Sequence, residues 1–332
     1  MRTPDFWYPV PDAAQTGGDL RRMALAPLGT LYAAATARRV RRAPDIRPGC
    51  PVICVGNINA GGTGKTPTVI ALTDLLRSMG RTPIVVTRGY GGSAQGPLLV
   101  DPGSHAADMV GDEPLLIAAF GPVIVAKDRA AGAAMAQDHG DVILLDDGHQ
   151  NPGVAKDLSL VIVDAARGFG NGAVIPAGPL REPIPAGLAR ADALVSLGTS
   201  RAQDHFAQRW GEHVSVPHLT AKLDILPTGM PWQGMRAMAF AGIAHPKKFF
   251  DTLEGLGVTL MRAEALGDHQ PLTTALMKRL EIEAQALGAQ LVTTEKDAVR
   301  LPDSFRARVL TLPVRLRFDD EAALTQLIQT VL

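Results

Sequence analysis

Short β-branched runs alternate with helical patterns along most of this chain. The first run, Val52, Ile53 and Val55, breaks into a glycine-rich loop, after which Val69, Ile70 and Leu72 recur at helical spacing. Further apolar runs lie at 82–87, 123–126 and 141–146, then at Leu158–Asp164 and Ala193–Leu197. Each is short and apolar throughout, as strands buried on both faces of a parallel sheet are. The alternation predicts an α/β fold, a mostly parallel sheet flanked by helices. After the polar stretch 198–208 the pattern restarts as a smaller α/β lobe. Its expected elements are the strand Arg236–Ala241, a helix from near Pro246 carrying Phe249, Phe250 and Leu253, alternation through Leu260, a helix over 273–287, and strands Gln290–Thr294 and Val309–Leu312. The expected division is therefore 1–43, 44–201 and 202–332.

The first of these segments begins with the aromatic cluster Phe6-Trp7-Tyr8-Pro9. A helix is expected over 20–40, with Leu28, Leu31, Tyr32 and Ala35 on one face and arginines at 21, 22, 38, 39, 41 and 42. Its apolar part is shorter than the ~20 residues a membrane span needs. The order of charge and apolar residues is not that of a secretory signal. Two readings stay open on these residues: a helix lying in a membrane interface with cations at anionic headgroups, or an amphipathic helix packed on the neighbouring domain.

Composition narrows the class. Of 332 residues 46% are hydrophobic and 20% charged, which fits a sizeable core and excludes a disordered chain. Basic and acidic residues balance at 33 each, so no nucleic-acid partner is expected. The two cysteines, Cys50 and Cys54, make neither a disulfide framework nor a zinc site, which points to a reducing compartment.

Chemistry concentrates where strands end. Asn59-Ala-Gly-Gly-Thr-Gly-Lys-Thr66 sits between a strand and a helix, the context a phosphate-binding P-loop requires. The first glycine of the usual pattern is Asn59, a residue that tolerates left-handed backbone. Backbone N–H groups of Asn59, Ala60, Gly61, Gly62, Thr63 and Gly64 are expected to cradle phosphates, Lys65 to reach the β- and γ-phosphates, and Thr66 to meet Mg²⁺. Asp146 and Asp147 end an apolar strand, the form of a Walker B acid pair that holds Mg²⁺. Arg88 stands where a strand enters a glycine loop, placed either for an anion or for water. Asp112 opens a helix at Gly111-Asp-Glu-Pro114, which capping alone also explains. The glycine- and proline-rich segment 168–183 reads as an ordered loop beside the site, presenting Arg181 and Glu182 between prolines. Asp268 and His269 lie in a loop of the second lobe, solvated or facing the cleft.

Together these motifs resemble the tetraacyldisaccharide 4′-kinase family, the P-loop kinases of lipid A biosynthesis. The resemblance rests on Val55-Gly-Asn-Ile-Asn-Ala-Gly-Gly-Thr-Gly-Lys-Thr-Pro67, Arg88-Gly-Tyr-Gly91, Gly111-Asp-Glu-Pro114, Asp146-Asp-Gly-His-Gln150 and 169–183. It continues in order through Phe240-Ala-Gly-Ile-Ala244, Gly267-Asp-His-Gln270 and Thr293-Thr-Glu-Lys-Asp297. It implies ATP and Mg²⁺ as cofactors, with an acylated glucosamine disaccharide 1-phosphate as acceptor and lipid IVA as product. It implies Asp112 as base, helped by Asp268 and His269. Gln150 and Glu182 are then candidates to complete the metal shell, and Arg88, Asn171 and Arg181 candidates for substrate binding. An acceptor anchored in the inner membrane favours the interfacial reading of the 20–40 helix, on a monomer at the cytoplasmic face. Two other classes remain for a P-loop chain: a switch that hydrolyses nucleotide to change partners, and a membrane adaptor whose P-loop is only structural.

Overall fold

Period-two alternation in β1 (Val52–Gly56) sends Ile53 and Val55 to one face of the sheet and Val52 and Cys54 to the other, all fully buried. The structure, a computed structural model, describes residues 4–9, 16–243 and 245–332. Residues 1–3 and 10–15 of the expected N-terminal segment, and Ala244 of the 240–244 motif, lie outside the described residues. On the Ile53 face pack the helices Lys65–Ser78 and Glu321–Gln329, through residues such as Leu72, Leu76, Leu324 and Ile328. On the other face lie the helix Arg129–Ala136 and, beside it, Phe169, Phe206 and Trp210. Burying an aromatic side chain such as Phe206 stabilises the fold by about 2–3 kcal/mol.

The remaining strands are β2 (Pro83–Thr87), β3 (Leu98–Leu99), β4 (Val123–Val125), β5 (Val142–Asp146), β6 (Leu158–Asp164), β7 (Ala193–Leu197), β8 (His218–Ile225), β9 (Arg236–Ala241), β10 (Thr259–Ala265), β11 (Gln290–Thr294), β12 (Val309–Leu312) and β13 (Val314–Phe318). Nine form one sheet in the order β13-β8-β7-β6-β1-β5-β2-β4-β3. It is parallel except at its two edges, where β13 runs antiparallel to β8 and β3 to β4. β1 lies between β6 and β5, so the chain winds outward to both sides from the strand that carries the P-loop. A second, all-parallel sheet has the order β10-β9-β11-β12, with the helices Pro246–Gly255 and Thr274–Ala286 covering it.

The sheets do not divide the chain at residue 202. β8 and β13 both belong to the large sheet, so only the stretch between them, 226–313, departs to build the second lobe. The expected joiner 198–208 is instead largely a helix, Ser200–Trp210. Its half-buried Ala202 and its Phe206 and Trp210, four residues apart, insert beside Phe169.

The N-terminal helix spans Thr16–Val40. Toward the body it turns Gly29 and Thr36, both buried; a Cβ on Gly29 would stand 2.9 Å from the Val174 carbonyl oxygen. Leu20, Met23, Leu28, Leu31 and Tyr32 are exposed. No helix among the described residues is long and apolar enough to cross a membrane. Ahead of the helix, Trp7 Nε1 donates to the Pro176 carbonyl at 3.1 Å, fixing the aromatic cluster to the 168–183 loop.

Candidate active site

The P-loop helix Lys65–Ser78 starts without a side-chain cap, leaving its first N–H groups free for an anion. Its N-cap, Gly64, has φ 94°, and a Cβ there would stand 2.4 Å from Leu197; only glycine fits. The loop is braced from within and without. Asn57 Nδ2 donates to Thr63 Oγ1 at 2.9 Å. Asn59 Nδ2 donates to the Gly168 carbonyl at 3.0 Å, Ala60 N to Pro179 O at 2.7 Å, and Arg181 N to Ile58 O at 2.7 Å. The 168–183 segment thus runs alongside the P-loop as a clamp, held by backbone pairing. Lys65 and Thr66, both partly buried, follow at the start of the helix.

β5 delivers Asp146 and Asp147 to the neighbouring strand end. Asp146 Oδ2 accepts from Thr87 Oγ1 at 2.9 Å, while its Oδ1 is buried without any donor. Burial pushes its pKa up to about 6. Beneath it the buried Arg129 donates to the Asp146 and Ala126 carbonyl oxygens at 3.1 and 3.0 Å. An unpartnered buried carboxylate oxygen beside a P-loop fits a divalent cation, as does the hydroxyl of Thr66. Asp147 takes a left-handed φ of 51° and accepts from Arg181 Nη1 at 3.0 Å, with Lys65 Nζ at 3.4 Å. Burial raises its pKa, but the Lys65 and Arg181 charges outweigh this and hold it below the usual carboxylate range.

The structure brings Asp112 and His269 together across the two lobes. His269 Nδ1 lies 3.1 Å from Asp112 Oδ1 and 3.0 Å from Oδ2, with hydrogen-bond geometry met at Oδ1 and Oδ2 left without an aligned donor. Arg300 Nε, also buried and unpaired, stands 3.7 Å from that Oδ2. The bond to Asp112 raises the His269 pKa; burial lifts that of Asp112, but His269, Lys296 and Arg300 bring it below normal. His269 is the second non-glycine residue with a left-handed φ, 57°, among those described, so both strained positions fall in this site. Asp268 lies farther out, 3.8 Å from His269 Nε2. The helix Asp112–Ala118 packs against the P-loop helix, which sets this pair beside the phosphate loop. Arg88 is exposed, with no hydrogen-bond or ion-pair partner among the described residues.

Three expected positions do other things. Asn171 Nδ2 donates to Phe6 O and Ala177 O at 3.1 and 2.9 Å, and its Oδ1 accepts from Ala173 N at 3.0 Å. With its donors and acceptor engaged by backbone, it anchors the N-terminal aromatics to the clamp. Gln150 donates to Asn57 O at 2.7 Å and to Glu182 Oε1 at 2.9 Å, and accepts from Arg181 at 3.2 Å. Glu182, buried, is also paired to Arg190 at 2.8 Å. In this conformation Gln150 and Glu182 form the frame that holds Arg181, not open metal ligands. Sequence reasoning missed Thr87, Arg129, Arg190, Lys296 and Arg300. Lys296 lies inside the 293–297 motif, so a signal existed for it; nothing in the sequence pattern marks Arg129.

Comparison with known proteins agrees with this arrangement. The family model described as tetraacyldisaccharide-1-P 4′-kinase matches residues 21–332. The tetraacyldisaccharide 4′-kinase of Dinoroseobacter shibae is 62% identical, covering all of this chain and 98% of its own. That of Rhodospirillum rubrum is 46% identical with the same coverage. The crystal structure of LpxK from Aquifex aeolicus in complex with ATP superposes with a TM-score of 0.76 at 26% identity, over 93% of this chain and 99% of that one. A matched family model over nearly the full length and a relative of 62% identity leave one assignment: the chain belongs to the tetraacyldisaccharide-1-P 4′-kinase family.

Proposed function

We propose that this protein transfers the γ-phosphoryl group of ATP to the 4′-hydroxyl of tetraacyldisaccharide 1-phosphate, giving lipid IVA in lipid A biosynthesis. One observation carries the residue-level reading. A buried carboxylate oxygen without a donor, Asp112 Oδ2, stands against a histidine from the other lobe and beside the P-loop helix. An acceptor hydroxyl would supply the missing donor.

Phosphoryl transfer is mostly alignment and charge stabilisation. Loop amides and Lys65 hold the nucleotide phosphates; Lys65 would exchange its pairing with Asp147 for them. Thr66 and Asp146 would hold Mg²⁺, which would supply charge to neutralise the phosphates. Asp112 accepts the hydroxyl proton late in transfer, where a weak base suffices, and His269 orients the carboxylate. Asp268 adds negative charge near the imidazole. Arg181, paired with Asp147 and Gln150, and the exposed Arg88 would complement the developing phosphate charge. Because the second lobe covers Asp112, acceptor entry requires that lobe to move.

The N-terminal helix supports a membrane-bound working position. Its large apolar residues face outward and its small ones inward, the reverse of a helix whose only task is to pack. We read it as lying in the interfacial layer at the cytoplasmic face of the inner membrane, with Arg38 and Arg39 toward anionic headgroups. One chain contributes both Asp112 and His269, so a monomer is sufficient. Incubation with γ-labelled ATP, Mg²⁺ and the disaccharide acceptor should yield labelled lipid. Release of labelled phosphate with no labelled lipid would leave a nucleotide-driven switch in place of a kinase.

A further inference from the structure

Lys296 lies on the four-residue helix Glu295–Ala298 that follows β11, and this helix packs against Asp112–Ala118 of the large lobe. Its Nζ is 2.9 Å from Glu113 Oε1 and 3.4 Å from His269 Nε2. Two neighbouring residues of one lobe, Asp112 and Glu113, thus meet two of the other, His269 and Lys296, in a closed ring. Burial disfavours the ammonium, yet Glu113 and Asp112 raise its pKa overall, so Lys296 is charged. An ammonium has three donors and no acceptor. Facing Nε2, it can be accommodated only by a ring nitrogen that carries a lone pair. The ring proton is then on Nδ1, where it donates to Asp112.

Around the imidazole the charges are opposed. Asp112, at its Nδ1, and Asp268, at 3.8 Å from Nε2, favour the imidazolium. Lys296 at Nε2 disfavours it, and Arg300, 3.7 Å from Asp112 Oδ2, competes for the same carboxylate. Tyr90 packs edge-on to the ring at 5.8 Å between centroids and adds no charge. Without Lys296, nothing among these groups faces Nε2 with positive charge.

We propose that Lys296 is a positioning residue that opposes protonation of His269 at Nε2 and keeps its ring proton on Nδ1, so that Asp112 keeps an ionised carboxylate aligned for the acceptor proton. This rests on the reading of Asp112 and His269 given above. A plain inter-lobe ion pair between Lys296 and Glu113 would need no such effect, and the two are separable. Lys296→Met removes both the charge at Nε2 and the bond to Glu113; Glu113→Gln weakens the bond and leaves the charge; Lys296→Arg keeps a cation.

The test follows the His269 ring by nitrogen NMR on the full chain alongside kcat as a function of pH. In Lys296→Met the His269 titration midpoint should move up, and the acid limb of the kcat profile should move up with it, with kcat at neutral pH down about tenfold. Lys296→Arg should restore both, and Glu113→Gln should leave the midpoint near that of the parent. An unchanged midpoint in Lys296→Met, or a Glu113→Gln variant that reproduces its shift, would reduce Lys296 to an inter-lobe tether. A shifted midpoint with an unmoved kcat profile would uphold the hold on the ring and remove the Asp112–His269 pair from catalysis.

Discussion

Replacing Asp146 with asparagine should destroy Mg²⁺-dependent transfer and yet stabilise the ligand-free protein. In the folded chain its carboxyl titrates near pH 6, against 3.8 for an unburied aspartate, because burial penalises the charge. At ~1.36 kcal/mol per pKa unit, holding this charge in place costs about 3 kcal/mol at neutral pH. An asparagine keeps an acceptor toward Thr87 Oγ1 but puts an amide where Oδ1 now has no partner, a loss of about 1 kcal/mol. The net gain is about 2 kcal/mol. Its pH dependence has a definite sign. The folded pKa is above the unfolded one, so the parent is most stable below pH 3.8 and loses stability as pH rises through 6. The advantage of the variant should therefore be full at pH 7.5 and fade as pH falls from 6 toward 4. Denaturant unfolding in EDTA at pH 7.5 and pH 4.5 measures both. Mg²⁺ with nucleotide should then stabilise the parent more than the variant. A variant no more stable than the parent at pH 7.5, or a gap that ignores pH, would refute the argument that Asp146 is a strained carboxylate waiting for a cation.

Asp112→Ala and His269→Ala should each lower kcat by about 10²–10⁴-fold with nucleotide affinity nearly unchanged. The double variant should be little worse than the weaker single one, since the two act as a unit; multiplicative losses in a double-mutant cycle would separate them. Leu28→Ser with Leu31→Ser alters the outward face of the N-terminal helix, where these side chains are 53% and 67% exposed, and leaves its packed face alone. Two leucines contribute up to about 3–4 kcal/mol on insertion, so partitioning onto anionic vesicles should fall at least tenfold; equal partitioning would make that face irrelevant to membranes. Asn171→Ala should destabilise by about 2–3 kcal/mol, from lost bonds to three backbone groups. A changed acceptor KM at unchanged stability would return Asn171 to substrate binding.

Legibility followed the range over which each signal acts. The P-loop and the Asp146–Asp147 strand were readable because strand, loop and helix are contiguous, and strand β1 with its following helix falls where the apolar runs put it. β8 was missed because Ala221 is its one fully buried side chain, so no apolar period announces it. Val314, Leu316 and Phe318 of β13 do alternate, but Pro313 alone separates them from β12, and one run conceals two strands in different sheets. Asp112 could be named from its motif, whereas its contacts with His269 and Arg300 come from residues more than a hundred positions away. Asn171, Gln150 and Glu182 look alike in sequence to residues awaiting a ligand. Only tertiary pairing shows that Phe6, Ala177, Arg181 and Arg190 already occupy them.

The chain leaves the large sheet after Ile225 and re-enters it at Val314, and these two residues are paired partners on adjacent strands, with Leu226 N bonded to Pro313 O at 3.0 Å. A body joined by two cords fastened side by side moves as one piece relative to what it hangs from. The 226–313 stretch is hung in this way. His269, Lys296 and Arg300 all lie within this stretch, so any movement of it carries them as a set relative to Asp112 and Glu113. The crossing thus sets which residues of the second lobe travel together, at the edge of the large sheet where β8 and β13 pair.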